Sequence, residues 1–411
     1  MRALFLPRWY PNPGNPYDGV FAREHALAAR AAGVDVAVLH MPDVAAPIRG
    51  LWQMEEETDP QLNAGIPTYH VQTRPIRIPG SRVLSFRISS WLQLWAAWRA
   101  FRRIRSRGFQ PDVVHAHVYT ASSVAGFLGR RFGLPVVIAE HSTAFPRGTI
   151  PAGALKRARA AFLAADRVLP VSASLQKAME AAAIEARFDV VPNAVDTSLF
   201  HPAEPGRRAR PRGEPRRMIF VGSLEPTEHK GFPTLIEALK LLRDRRTDWT
   251  LDVVGDGPSR ADLTARVGSE GLAQYVAFLG SLPKSRIAEM MRASDLFVMP
   301  SNFETQGVVI LESMCSGIPI VSTAVGGIPE IVSPADGILV QPRDPAALAR
   351  ALESLLSDPG RFDGRAIAAR AAARFGYAAV GSRLAAIYAD VARARGRPLS
   401  EPAAAGEQRP G

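Results

Sequence analysis

Short unbroken apolar runs alternate along this chain with segments of helical spacing, and they fall into two blocks. In the first block, Ala3 to Leu6, Val34 to Leu39, Asp112-Val-Val-His115-Ala-His117, Val136 to Ala139 and Arg167 to Val171 read as strands. They do not alternate apolar with polar residues, as expected for parallel strands covered on both faces. Val20 to Ala32 has helical spacing and is stopped by Gly33, which makes a βαβ opening. Val190 to Asp196 repeats the strand-end pattern. The second block runs through Met218 to Val221, a helix over Phe232 to Leu242, then strands at Leu251 to Val254, Val276 to Leu279, Leu296 to Met299, Ile318 to Val321 and Gly337 to Val340. A helix from Pro345 to Leu356 closes it. A last helix, Tyr377 to Ala394, carries Val380, Leu384, Ile387 and Val391 at helical spacing and needs a surface to pack on. Ser81 to Arg107 is amphipathic, with Leu84, Ile88, Trp91, Trp95 and Trp98 followed by five arginines; a core-packing helix is the first reading and contact with anionic lipid the second.

Length and composition narrow the class. The 411 residues are enough for two to three domains, and 47% hydrophobic with 22% charged residues is a globular balance. No apolar run approaches the roughly 18 residues of a membrane span. Met1 to Pro7 has too short an apolar core for a signal peptide and reads as the first strand. With Cys315 as the sole cysteine, a reducing cytoplasmic setting is expected, without disulfides or a cysteine metal cluster. The net charge of +11 invites a nucleic-acid reading. However, six arginines crowd between Arg207 and Arg217 in a Pro- and Gly-rich stretch, which reads as a solvated linker. No zinc-finger, helix-turn-helix or aromatic-basic pattern accompanies them, so nucleic acid is excluded as a partner.

The densest chemistry lies between Pro300 and Gly317. Polar loop residues carrying Glu304 lead into Gly307, which opens a helix carrying Val308 and Glu312. The first N–H groups of such a helix and its dipole suit a diphosphate, and a carboxylate beyond it could accept two vicinal ribose hydroxyls. Lys230, at another helix start, could add a cation for phosphate. The loop Pro11 to Gly19 after the first strand lacks the G-x-G-x-x-G fingerprint, which lowers the weight of an NAD enzyme, while Gly19 stands at a helix start beside a strand end. His115 and His117 share one side of their strand. Without a third ligand at recognisable spacing or an Asp-x-Asp, no metal is expected; His117 suits a polar substrate and His115 reads as a satisfied core histidine.

These segments taken together, with Pro192-Asn-Ala-Val-Asp196, Val221-Gly-Ser-Leu, Lys230-Gly, Ser-Gly-Ile-Pro-Ile-Val-Ser-Thr323 and Gly326-Gly-Ile-Pro-Glu330-Ile-Val, resemble a family-4 retaining glycosyltransferase of the GT-B fold over nearly the whole chain. The resemblance implies an α/β protein of two Rossmann-like domains facing across a cleft, with the final helix crossing back to the N-terminal domain. The expected division is 1–200 plus about 377–394 for the N-terminal acceptor domain, 201–217 for the linker, 218–376 for the nucleotide-sugar domain and 396–411 for a disordered tail.

By the same resemblance, Glu312 matches the ribose-binding glutamate, Gly307 and Val308 the backbone over the diphosphate, and Lys230 the neutralising lysine. Glu304 matches the glutamate near the donor sugar, His117 the active-site histidine, and Gly19 the loop glycine against the phosphate. Two positions depart from the pattern. Ser223 stands where many members carry arginine, which shifts phosphate neutralisation onto Lys230, and Ala194 stands where glycine is usual. The implied activity is hexosyl transfer (EC 2.4) from a nucleoside-diphosphate sugar to a sugar, lipid-linked or small-molecule acceptor in polysaccharide, glycolipid or cell-envelope synthesis. It needs no cofactor or metal; the cysteine usage and chain start set it in the cytoplasm, and the second reading of Ser81 to Arg107 adds peripheral contact at the inner membrane face. A sugar-nucleotide epimerase and a non-catalytic nucleotide-sugar-binding relative are the alternatives.

Overall fold

The apolar runs become strands because sheets covered on both faces leave no polar side for them to show. The computed structural model describes residues 1–42, 48, 50–204, 214–226 and 229–397. In it, β1 (Arg2–Pro7), β2 (Asp35–His40), β3 (Trp52–Glu56), β4 (Thr68–Thr73), β5 (Val113–His117), β6 (Val136–Glu140) and β7 (Arg167–Pro170) form one sheet. Its order is β3-β4-β2-β1-β5-β6-β7, parallel except where β3 runs against β4. A second sheet holds β8 (Arg216–Val221), β9 (Trp249–Val254), β10 (Val276–Gly280), β11 (Leu296–Met299), β12 (Ile320–Thr323) and β13 (Gly337–Val340), all parallel, in the order β10-β9-β8-β11-β12-β13.

The chain divides into two compact units. The first takes 1–171, 176–194 and the described part of 377–411; the second takes 172–175 and 195–376. The linker expected over 201–217 lies partly outside the described residues, and its last two members, Arg216 and Arg217, already belong to β8. The tail expected over 396–411 lies almost wholly outside them.

In the first unit, the helix Tyr377–Ala394 packs on the helix Val20–Ala31. Contact is close because residue 381 is glycine: a Cβ there would sit 1.9 Å from the Ala28 carbonyl oxygen. Val380, Leu384, Tyr388 and Val391 are buried along this seam, so Tyr388 rather than Ile387 is the core member of its third turn. The Tyr388 hydroxyl lies 2.6 Å from His115 Nδ1, giving that buried histidine a partner from the far end of the chain.

Three expectations fail locally. Val190 to Asp196 is not a strand; the chain from Arg187 to Val191 runs beside β7 through three backbone bonds, Val168 N to Arg187 O, Asp189 N to Val168 O and Val191 N to Pro170 O, and prolines at 170 and 192 forbid a full ladder. Strands β3 and β4 were not anticipated, since edge strand β3 is half polar and offers no apolar run. The helix Arg82–Ser106 buries Leu92, Ala96, Ala97, Ala100, Phe101 and Ile104. The tryptophan stripe is therefore not its core face. Trp91 is 65% exposed, and small alanines serve the seam because they let the helix approach the sheet.

Candidate functional site

In open α/β sheets, ligands collect outside the carboxyl ends of strands where the chain reverses its direction of travel across the sheet. That point lies between β1 and β5 in the first unit and between β8 and β11 in the second. Gly19 and His117 follow β1 and end β5; Lys230 and Glu304 lie on the loops after β8 and β11. Each candidate thus stands at the switch point of its own unit.

In the second unit, the two loops are joined through their backbones. Asn302 N donates to His229 O at 2.7 Å, and Gly231, with φ 65°, lets the lysine loop lie against the next loop: a Cβ there would be 1.8 Å from Pro300 O. The consequence is that Lys230 Nζ sits 2.6 Å from Glu304 Oε2, with both side chains largely buried. The far side of the Glu304 loop is clamped too. A Cβ on Gly326 would fall 1.7 Å from Glu304 O, one on Gly327 would fall 2.2 Å from Thr305 O, and Ser172 Oγ donates to Thr305 O at 2.7 Å. Only glycines permit this approach, which gives the Gly326-Gly327 pair its purpose.

Gly307 caps the helix Val308–Cys315 with φ 88° and ψ 78°. Ile310 N bonds Gly307 O at 3.0 Å, whereas the N–H groups of Val308 and Val309 precede any acceptor within the helix and, with its dipole, favour an anion next to the Glu304 loop. Glu312, on the same helix, is buried and pairs with Lys284 Nζ at 3.2 Å. Sequence reasoning did not find Lys284. It opens the helix Lys284–Ala293, and only the fold brings it to Glu312.

The first unit contributes a cluster of histidines. Alternation along β5 does place His115 and His117 on one side, their rings 4.4 Å apart. The fold adds His25 and His141, both overlooked in the sequence because they come from a helix and the end of another strand. One ring nitrogen from each of His25, His117 and His141 lies within 4.8 Å of the others. The third partner that spacing could not supply is therefore present. Four of the six ring nitrogens are engaged, His117 Nδ1 with His141 Nε2 at 3.2 Å, His141 Nδ1 with Asn193 Oδ1 at 3.0 Å and His25 Nε2 with Pro192 O at 2.9 Å, while His117 Nε2 and His25 Nδ1 are buried without a hydrogen-bond partner among the described residues. Binding a cation through His141 Nε2 would break the first of these. Burial holds His115, His117 and His141 well below the usual histidine range and lowers His25 to about 4, so all four rings are neutral.

The turn after His117 is strained. Val118 has φ 70°, an uncommon conformation for a β-branched residue, worth about 1–3 kcal/mol of strain. Buried Glu140 holds it, accepting from Tyr119 N at 2.9 Å while its other oxygen accepts from His141 N at 2.9 Å and Ser142 N at 2.8 Å. Burial still raises Glu140 to about 7, against the pull of those three donors. Gly19 is the other enforced position, since with φ 56° a Cβ would lie 1.9 Å from Trp9 O.

The family described as Glycosyltransferase Family 4 matches residues 19–199, and that described as Glycosyl transferases group 1 matches residues 215–358. A D-inositol 3-phosphate glycosyltransferase of Streptomyces avermitilis is 30% identical over 82% of this chain and 77% of its own. A glycogen synthase of Mycobacterium tuberculosis is 31% identical over 64% of each; the chain spans about two thirds of that relative's length. Among solved structures, Anabaena Alr3699/HepE in complex with UDP is similar in fold, with a TM-score of 0.73 at 21% identity, covering 95% of this chain and 100% of that one.

Proposed function

The chain belongs to glycosyltransferase family 4, with the α/β GT-B fold, and from that premise we propose that it transfers a sugar from a nucleoside-diphosphate sugar to an acceptor hydroxyl with retention of the anomeric configuration. The observation that carries this reading is the Lys230–Glu304 pair beside the Gly307 helix start, with Glu312 on the next turn. Lys230 and the N–H groups around Gly307 and Val308 neutralise the departing diphosphate, Glu312 accepts the ribose hydroxyls, and Gly19 leaves room for phosphate. Glu304 and His117 orient the donor sugar.

Transfer through an oxocarbenium-like state puts the developing charge on the leaving diphosphate, where a lysine and a helix N-terminus act without a general acid. The leaving phosphate itself takes the acceptor's proton from the same face, and no metal or cofactor is required. The HepE structures include one with UDP-glucose, and the relatives include a glycogen synthase. Uridine-linked hexoses and polysaccharide or envelope-type acceptors are therefore the first to test. Mass spectrometry of mixtures of nucleotide sugars and acceptors should give a glycosylated acceptor and free nucleoside diphosphate. Steady formation of an epimerised nucleotide sugar without acceptor would mean an epimerase instead, and no turnover of any donor a binding protein.

A second reading concerns place. Among the described residues no helix is long and apolar enough to cross a membrane. The helix Arg82–Ser106 nevertheless exposes Val83, Phe86 and Trp91 at 70%, 57% and 65% beside Arg82 and Arg87. Apolar side chains flanked by cations suit an anionic bilayer surface, which favours peripheral attachment at the cytoplasmic face. Sedimentation with vesicles should rise with anionic lipid and fall in Trp91→Glu; equal binding to neutral and anionic vesicles, or none, would return this face to plain solvent.

A further inference from the structure

The Pro192-Asn193 dipeptide has no role in the chemistry described so far, yet it touches two of the buried histidines. Pro192 O and Asn193 Oδ1 are oxygen acceptors, so each ring nitrogen facing them must carry the proton. His25 is then protonated on Nε2 and bare on Nδ1. His141 is protonated on Nδ1, which leaves its Nε2 as a lone pair, and that lone pair can only accept from His117 Nδ1. His117, donating through Nδ1 and neutral, is then unprotonated on Nε2. Like His25 Nδ1 and His115 Nε2, that nitrogen is buried without a hydrogen-bond partner among the described residues. A buried acceptor such as His117 Nε2 or His25 Nδ1 is costly unless a donor meets it. Phe5, stacked on His117 with ring centroids 5.3 Å apart, and Phe21, 4.2 Å from His141, hold the rings in place.

We infer that Asn193, acting through His141, sets the tautomer of His117 so that Nε2 presents a fixed lone pair to a hydroxyl proton of the bound donor sugar. This rests on the place given to His117 at the sugar. Asn193 and His141 are positioning residues: they touch neither sugar nor phosphate in this scheme. The neutral state of all three rings is what makes the relay directional, because a protonated ring would donate from both nitrogens. A cation held through His141 Nε2 would instead break the His117–His141 bond, which a hydroxyl donor at His117 Nε2 leaves intact.

The test is long-range nitrogen–proton NMR of the histidine rings in the full chain, paired with kinetics. His117 and His141 should appear protonated on Nδ1 and His25 on Nε2. In Asn193→Ala, His141 and His117 should become tautomer mixtures, whereas Asn193→Asp, which keeps an acceptor oxygen, should retain the wild-type pattern. Turnover in Asn193→Ala should fall about tenfold, the loss of one aligned hydrogen bond, with nucleoside diphosphate affinity unchanged and Asn193→Asp recovering most of the rate. His117 protonated on Nε2 in the wild type, or a stoichiometric metal ion in the purified protein, would overturn the relay; the wild-type spectrum decides this even if Asn193→Ala does not fold. A shifted tautomer with unchanged turnover would keep the relay and overturn the role of His117 at the sugar.

Discussion

Lys230 Nζ and Glu304 Oε2 stand 2.6 Å apart, so the cation assigned to the diphosphate is already paired before any donor binds. The carboxylate both positions the lysine and competes with phosphate for it. Glu304→Gln should therefore tighten nucleoside diphosphate binding, by about fivefold for a gain near 1 kcal/mol, while slowing transfer. Lys230→Met should weaken that binding by about tenfold, and Ser223→Arg in the same background should restore part of it. Calorimetry reads all three. Weaker diphosphate binding in Glu304→Gln would mean that the pair acts as a rigid unit rather than as a competitor.

Glu312 is buried and pairs with Lys284 at 3.2 Å, and the two oxygens of a carboxylate can accept from two vicinal hydroxyls. Wild-type protein should prefer a ribonucleoside diphosphate over its 2′-deoxy analogue by about tenfold, and Glu312→Gln should lose most of that preference. Equal discrimination in the variant would remove Glu312 from the ribose.

Buried neutral histidines make the protein acid-sensitive. His25 is lowered to about 4 and His40 to about 3, both from an ordinary 6.5. Below pH 6.5 the unfolded chain takes up protons that the folded chain refuses, so stability is full above 6.5 and is lost as pH falls. His25 alone accounts for about 3 kcal/mol. Glu140 works the other way. Raised from 4.5 to about 7, it keeps its proton when folded, and its contribution falls as pH rises between those values. With His115, His117 and His141 lowered as well, the histidines prevail, and the urea midpoint should climb from pH about 4 to a maximum near about 6.5. A midpoint independent of pH across that range would contradict the neutral cluster.

Val118→Gly should cost activity more than stability. Glycine accepts φ 70° without strain, but Val118 is buried, so in Val118→Gly about 1–3 kcal/mol of strain relief is offset by a similar loss of side-chain burial while the position of His117 loosens. Melting temperature should change little while turnover falls several-fold. Glu140→Gln should instead lower the melting temperature, because its amide would turn a donor toward an N–H that needs an acceptor. A melting temperature lowered as much in Val118→Gly as in Glu140→Gln would refute the strain account.

The part of the architecture legible in the sequence was the part written as contiguous signal. Central strands such as Leu296 to Met299 are unbroken apolar runs, and Gly307, Val308 and Glu312 lie on one short helix, so period and spacing sufficed. The edge pair β3 and β4 was not legible, because a half-exposed strand such as Trp52–Glu56 carries no apolar run. The long helix misled because its tryptophans are the strongest apolar signal while its seam is built from Ala96, Ala97 and Ala100. His25, His141, Asn193 and Lys284 were missed for a common reason: each acquires meaning from a partner on a distant segment. Only the Glu140-His141 dipeptide at a strand end hinted at one of them.

The most direct test of the central claim is the anomeric configuration of the product, followed by NMR during turnover in excess chelator. A donor cradle of Lys230 and the Gly307 helix start predicts a product of the same anomeric configuration as the donor, formed at an undiminished rate without free divalent metal. An inverted product, or transfer abolished by chelator and restored by a divalent cation, would contradict it.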